Sequence, residues 1–163
     1  MTEQTGGATE TRGWAAVVKR ALAEARQRGD RRLGTEHLLL GLIGDPQSEA
    51  ARALGVELER AREALDALDR AALASIGLDV GGLRLASLRP ARKRPPLTSA
   101  ARSVLIGAME QAARTRTRRP TSRHMLLALL ACEPPDPAAA LLAQLGVDRA
   151  LVRERLAARQ PER

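Results

Sequence analysis

Apolar residues recur along most of this chain at intervals of three and four, the spacing that keeps one face of a helix dry. Trp14, Val17, Val18, Ala21, Leu22 and Ala25 predict a first helix ending at Gly29-Asp30, with Thr11 placed to cap it. The stretch Gly34-Thr35-Glu36-His37-Leu38-Leu39-Leu40-Gly41-Leu42-Ile43 is the densest apolar run, and it predicts a second helix up to Gly44. Thr35 reads as its N-cap, and Glu36 falls in the first turn, where the helix dipole favours an acid. Asp45-Pro46 reads as a third start, with Pro at the first helical position, carrying Ala50, Ala51 and Leu54 to Gly55. A fourth helix from about Leu58 to Ser75 places Ala61, Leu65, Leu68 and Ala72 on one side.

The pattern fails between 77 and 96, where Gly81-Gly82 and Pro90, Pro95 and Pro96 exclude a regular helix. It resumes with Ala101, Val104, Leu105, Ala108, Met109 and Ala112 behind a possible cap at Thr98. A helix opening at Ser122 follows, then one from Asp136-Pro137 to Gly146. The last starts at Asp148 and carries Leu151, Val152 and Leu156.

The second series copies the first. The only two histidines, His37 and His124, lie 87 positions apart, and the same offset pairs Thr11 with Thr98, Val17 with Val104 and Leu42 with Leu129. Asp45-Pro46 pairs with Asp136-Pro137 at an offset of 91, the extra residues being Cys132-Glu133-Pro134-Pro135. Caps, breakers and apolar positions recur in order, which is the mark of a tandem repeat. The expected fold is all-α: two pseudo-symmetric four-helix repeats at 11–76 and 97–159, a linker at 77–96, a disordered start at 1–10 and a short tail at 160–163.

Composition sharpens this. Hydrophobic residues make up 44% of the chain, yet there is no Phe, no Tyr and one Trp, so the core must be built from Leu, Ala, Val and Ile on closely packed helices rather than strands. A single cysteine excludes an internal disulfide framework and fits a reducing, cytoplasmic compartment. Residues 1–10 are too polar for a signal peptide, and no run approaches the roughly 20 apolar residues that span a bilayer. His37 and His124 read as packed histidines bonded to nearby backbone. With no cysteine or carboxylate cluster at ligand spacing, neither a metal site nor a cofactor is expected. No nucleophile–base pair can be assembled, and Cys132 reads as incidental, so no enzymatic activity is expected.

The net charge of +8 leaves acidic partners open. Arg89, Arg92, Lys93 and Arg94 fall in the linker, and Arg114, Arg116, Arg118, Arg119 and Arg123 near the turn between the fifth and sixth helices. A solvated basic surface is the default reading. A nucleic-acid-binding or regulatory helical protein is the alternative, weakened by the lack of aromatic stacking platforms.

Two copies of about 60–65 residues, each with a Thr-opened helix and a Gly-Thr-Glu-His-Leu-Leu-Leu-type second helix, resemble the Clp N-terminal repeat, in particular the ClpC-type double repeat. In such ATPases the double repeat precedes AAA+ motor modules. No Gly-x-x-x-x-Gly-Lys-Ser/Thr phosphate loop is present in this sequence, so the resemblance implies the recognition module as a stand-alone protein, and the Ala/Arg-rich composition suits an actinobacterial genome. The implied partners are protein substrates or adaptors and a Clp ATPase. The family's double repeat also binds phosphoarginine, through the Thr opening helix one and the Glu after Gly-Thr. That implies a first-repeat site of Thr11, Thr35 and Glu36, with Thr11 and Glu36 at the family spacing of 25 residues. The corresponding second-repeat positions are Thr98, Ser122 and Arg123, a degenerate set, because Arg cannot accept a guanidinium.

Overall fold

The computed structural model describes residues 13–79 and 94–159. Thr11, the segment 1–10, the linker positions 80–93 (with Arg89, Arg92 and Lys93) and the tail 160–163 lie outside the described residues. Among those described there are eight helices and no strand: α1 Trp14–Arg28, α2 Thr35–Ile43, α3 Glu49–Leu54, α4 Leu58–Ser75, α5 Ser99–Arg114, α6 Ser122–Leu130, α7 Pro137–Gln144 and α8 Arg149–Ala158.

Two short helices form the centre. Every residue of α2 except Glu36 is buried, and Leu38, Leu39, Leu40 and Leu42 are fully so. In α6, Met125, Leu126, Leu129 and Leu130 are equally enclosed. A helix apolar on all sides must be covered on all sides. Accordingly α2 and α6 pack on each other, and each is wrapped by helices of both repeats: α2 by α1, α3, α4, α5 and α7, α6 by α1, α3, α5, α7 and α8. The third and fourth helices cross over, α3 onto α8 and α4 onto α7. The two repeats therefore share one core instead of building two.

Small residues allow the close approach. A Cβ on Gly41 would lie 2.5 Å from the Val17 carbonyl oxygen and 2.9 Å from the Ala21 nitrogen, so α2 touches the backbone of α1 there. In the second repeat Ala128 takes that position and the glycine moves to the facing helix as Gly107. The loops joining the first and second helices of repeat one and preceding α5 are stitched by Leu33 N–H donating to Pro96 O (2.9 Å) and Thr98 N–H to Leu33 O (2.9 Å).

Three expectations need correction. Thr35 is not an N-cap: Gly34 holds that position in extended backbone (φ −99°, ψ −179°), and Thr35 is the first helical residue. Asp45-Pro46 opens a turn, not a helix; α3 starts three residues later behind Ser48, whose Oγ accepts from Ala51 N–H at 3.1 Å, whereas Asp136-Pro137 does open α7. Met109 and Leu151 are 47% and 42% exposed, so helical spacing alone placed two surface residues in the core. Ala72 is exposed for the same reason.

A fragment holding residues 13–79 alone should show no cooperative thermal transition by circular dichroism, because α2 would lose α5, α6 and α7. A sharp melt like that of the whole chain would show that each repeat has its own core.

Candidate functional site

The first turn of α2 is built from its N-cap outward. Gly34 has no side chain, and the Glu36 carboxylate folds back into the space a Cβ would fill: an added Cβ would lie 2.2 Å from Oε2 and 2.6 Å from Oε1. His37, the third residue of the helix, reaches back in the manner of a capping box. Its Nδ1 accepts from Gly34 N–H at 2.9 Å, so the ring proton sits on Nε2 and is donated to Asp30 Oδ2 at 2.8 Å. Burial works against the Asp30 carboxylate, but the hydrogen bond from His37 and the nearby Arg28 charge prevail and hold its pKa below the usual range. Arg28 in turn donates to Asp66 (2.6 Å) and Asp69 (2.5 Å) on α4.

Glu36 itself is poorly satisfied. Its Oε1 lies 3.5 Å from His37 Nδ1, which has no proton to give, and Oε2 is shielded from water with no donor among the described residues. Burial raises the Glu36 pKa, opposed by His37 and by a hydrogen bond from the residue's own backbone, with Asp30 and Asp136 adding to the rise. A carboxylate kept in this state costs stability unless a cation arrives.

Thr35 is turned the other way. Its hydroxyl is buried, donates to Asp136 Oδ1 at 2.7 Å and accepts from Ala138 N–H at 3.2 Å. It thus ties the first turn of α2 to the first turn of α7, in the other repeat.

In the second repeat the same frame carries different chemistry. Thr121 stands where Gly34 does, its N–H donating to His124 Nδ1 at 3.0 Å. Thr115 and Thr117 replace Arg28 and Asp30, and the Thr115 hydroxyl meets His124 Nε2 at 2.9 Å. Burial first, then the neighbouring Arg123 charge, lowers the His124 pKa. Arg123 swings across the seam, its Nη1 donating to Glu49 Oε1 (2.9 Å) and to Leu156 O (2.6 Å). Thr98 caps α5, its Oγ1 accepting from Ala101 N–H at 3.1 Å, and Ser122 is buried at the first position of α6. The structure does not gather Thr98, Ser122 and Arg123 around a common point through any shared hydrogen bond.

With this geometry in view, the comparisons decide the family. The family model of the Clp repeat (R) N-terminal domain matches residues 2–80. The chaperone protein ClpC1 of Arabidopsis thaliana chloroplasts is 31% identical over 140 residues, 84% of this chain. Residues 2–80 of the chain form a Clp N-terminal repeat. The negative regulator of genetic competence ClpC/MecB of Bacillus subtilis is 35% identical over 97 residues. The chain spans only 13% and 11% of these two relatives. The fold agrees with the N-terminal domain of the ClpD chaperone from Arabidopsis thaliana (TM-score 0.63, 22% identity, 89% of this chain and 92% of that one). It also agrees with the Hsp104 N-terminal domain from Candida albicans (TM-score 0.56, 16% identity, 88% and 86%).

Sequence reasoning on this Clp domain missed Asp30, Asp136 and Glu49, the partners of His37, Thr35 and Arg123. The signal for the first was present at the repeat offset: Arg28, Asp30 and His37 align with Thr115, Thr117 and His124, so charged and hydroxyl partners exchange together. Cys132 is half-buried, and burial pushes its thiol pKa up to about 11, which leaves it a poor nucleophile.

Arg123→Ala should cost about 1–2 kcal/mol in urea unfolding, since loss of a part-buried charged donor leaves Glu49 without this partner and the Leu156 carbonyl with only the Arg159 N–H. A double-mutant cycle with Glu49→Ala should return a coupling of about 0.5 kcal/mol or more; strict additivity would show the pair contributes nothing.

Proposed function

We propose that this Clp domain is a non-enzymatic recognition module that binds protein segments through the guanidinium of an arginine or phosphoarginine side chain, taken by Glu36. The observation that supports this is the buried Oε2 without a donor among the described residues, beside an Oε1 that lies 3.5 Å from His37 Nδ1. A guanidinium presents two parallel N–H groups and matches a carboxylate in a fork. Thr11, outside the described residues, would receive phosphate oxygens, the part carried over from the family. Thr35, with its hydroxyl committed to Asp136 and Ala138, would fix the turn on which Glu36 stands. Gly34 completes the device by leaving room for the carboxylate. The second repeat, with Thr121 and Arg123 at these positions, offers no acid, so recognition would be one-sided.

The setting proposed is cytoplasmic, with degradation substrates, adaptors or a Clp ATPase as partners. No helix among the described residues is long and apolar enough to cross a membrane.

Calorimetric titration with phosphoarginine and with Nα-acetylarginine amide tests the reading. Wild type should release heat with one of them, and Glu36→Gln should weaken that binding by about tenfold or more. Gly34→Ala should weaken it similarly while leaving stability within about 1 kcal/mol, because the backbone at Gly34 suits alanine and only the carboxylate must move. Absence of heat with both ligands would remove the proposal.

The pH dependence follows from the raised Glu36 pKa. The folded state holds this proton more tightly than the unfolded chain, so the stabilising contribution is complete below the usual value of 4.5 and is lost as pH rises through the folded pKa. At neutral pH the ionised group is a net cost. Glu36→Gln should therefore melt higher than wild type at pH 7, with the gap closing as pH falls toward 4. A lower melting temperature at pH 7 would show that the carboxylate has a partner in the folded chain.

A further inference from the structure

The outer face of α5 carries an arrangement that neither the core nor the Glu36 site accounts for. Ile106 and Met109, one turn apart, are each 47% exposed. With Arg102 and Ala113, both exposed, they form a single stripe at intervals of four, three and four residues. The fold does not require an apolar side chain at Ile106: the equivalent position on α1 is held by Lys19, also exposed, while Met109 corresponds to Leu22, which packs against the core on α1. Basic groups frame the stripe. Arg102 opens it, and Arg114, Arg116, Arg118 and Arg119 follow at the end of α5 and in the turn after it, all exposed and none in an ion pair among the described residues. Some arginines elsewhere are spent on structure: Arg149 and Arg153 both donate to Leu130 O, and Arg155 to Ala53 O. Glu110 is the one acid on this face of α5.

We infer that this face docks an acidic amphipathic helix of a partner protein, whose apolar residues cover Ile106 and Met109 while its carboxylates meet the surrounding arginines. The charge selects the occupant. A second copy of this chain would bring another net +8 and be repelled. A nucleic acid would satisfy the arginines but leave the aliphatic pair uncovered, and the described surface offers no aromatic platform beyond the part-buried Trp14. Rim pairs of this kind add little affinity each but speed encounter and fix orientation, so the contact is a transient, salt-sensitive one. The inference stands apart from the Glu36 reading: it uses other residues, on another helix of the other repeat.

The probe is a fluorescent helical peptide of about 18 residues with leucines at i, i+4, i+7 and i+11 flanked by glutamates, titrated with the whole chain and followed by anisotropy. A second peptide of identical charge carries serines in place of the leucines. Expected are binding of the leucine peptide that weakens several-fold between about 50 and about 300 mM salt, and binding of the serine peptide about fivefold weaker or worse. Ile106→Ser with Met109→Ser, and separately Arg114→Glu with Arg118→Glu and Arg119→Glu, should each lose about tenfold while keeping the wild-type melting temperature within a few degrees; all of these sites are exposed. The inference is overturned if the leucine peptide does not bind, if the serine peptide binds equally well, or if the Ile106/Met109 variant is unaffected. It is also overturned if a single-stranded oligonucleotide or anionic phosphatidylglycerol vesicles bind more tightly than the peptide and keep that affinity in the Ile106/Met109 variant.

Discussion

Everything in this molecule depends on covering two helices that have no wet side. α2 and α6 are nine residues each, and their leucines other than the partly buried Leu127, with Met125 and Ile43, are almost wholly removed from water. One four-helix repeat does not have enough neighbours to do that. The chain solves the problem by letting each repeat lend its third and fourth helices to the other, α3 to α8 and α4 to α7. Burying a leucine is worth about 2 kcal/mol, so the shared centre is by far the largest favourable term and the reason the duplication must stay together.

Because the frame is shared, differences between the copies collect where the frame does not constrain them, at the first turns of α2 and α6. Both histidines cap backward onto the chain in the same way, and the helix behind them is the same apolar rod. Ahead of them the copies diverge in pairs. Glycine goes with a carboxylate that needs its empty space, and threonine goes with an arginine that leaves for the opposite repeat. Arg123 turns its position into a brace across the seam, whereas Glu36 is held ionisable, enclosed and short of donors. The first is stabilising and the second is not, the usual contrast between a structural and a binding position.

Arginine does two separate jobs. Within the first repeat it donates to a carbonyl and to acids: Arg20 to Gly41 O, Arg28 to the half-exposed Asp66 and Asp69, and Arg62 to the buried Glu24 at 2.6 Å and 3.1 Å. Its planar fork suits these fixed geometries better than lysine would. On the outer face of α5 it is unpaired, and there its charge is directed at solvent or at a partner. The formal charge alone distinguishes neither use.

The sequence by itself determined the helices, their order and the duplication, because 3.6-residue periodicity, Gly and Pro punctuation and the recurring histidine are local signals. It also singled out Glu36 against Arg123, since an offset of 87 puts an acid opposite a base in otherwise matching turns. Only the tertiary structure decided what those residues do. That Thr35 would reach Asp136, 101 positions away, instead of capping its own helix depends on how α7 crosses α2. That Arg123 would find Glu49, or that Met109 and Leu151 would face solvent at core-like spacing, likewise depends on which neighbour covers each face. Periodicity shows that a helix has an apolar side; it does not show where the covering helix ends.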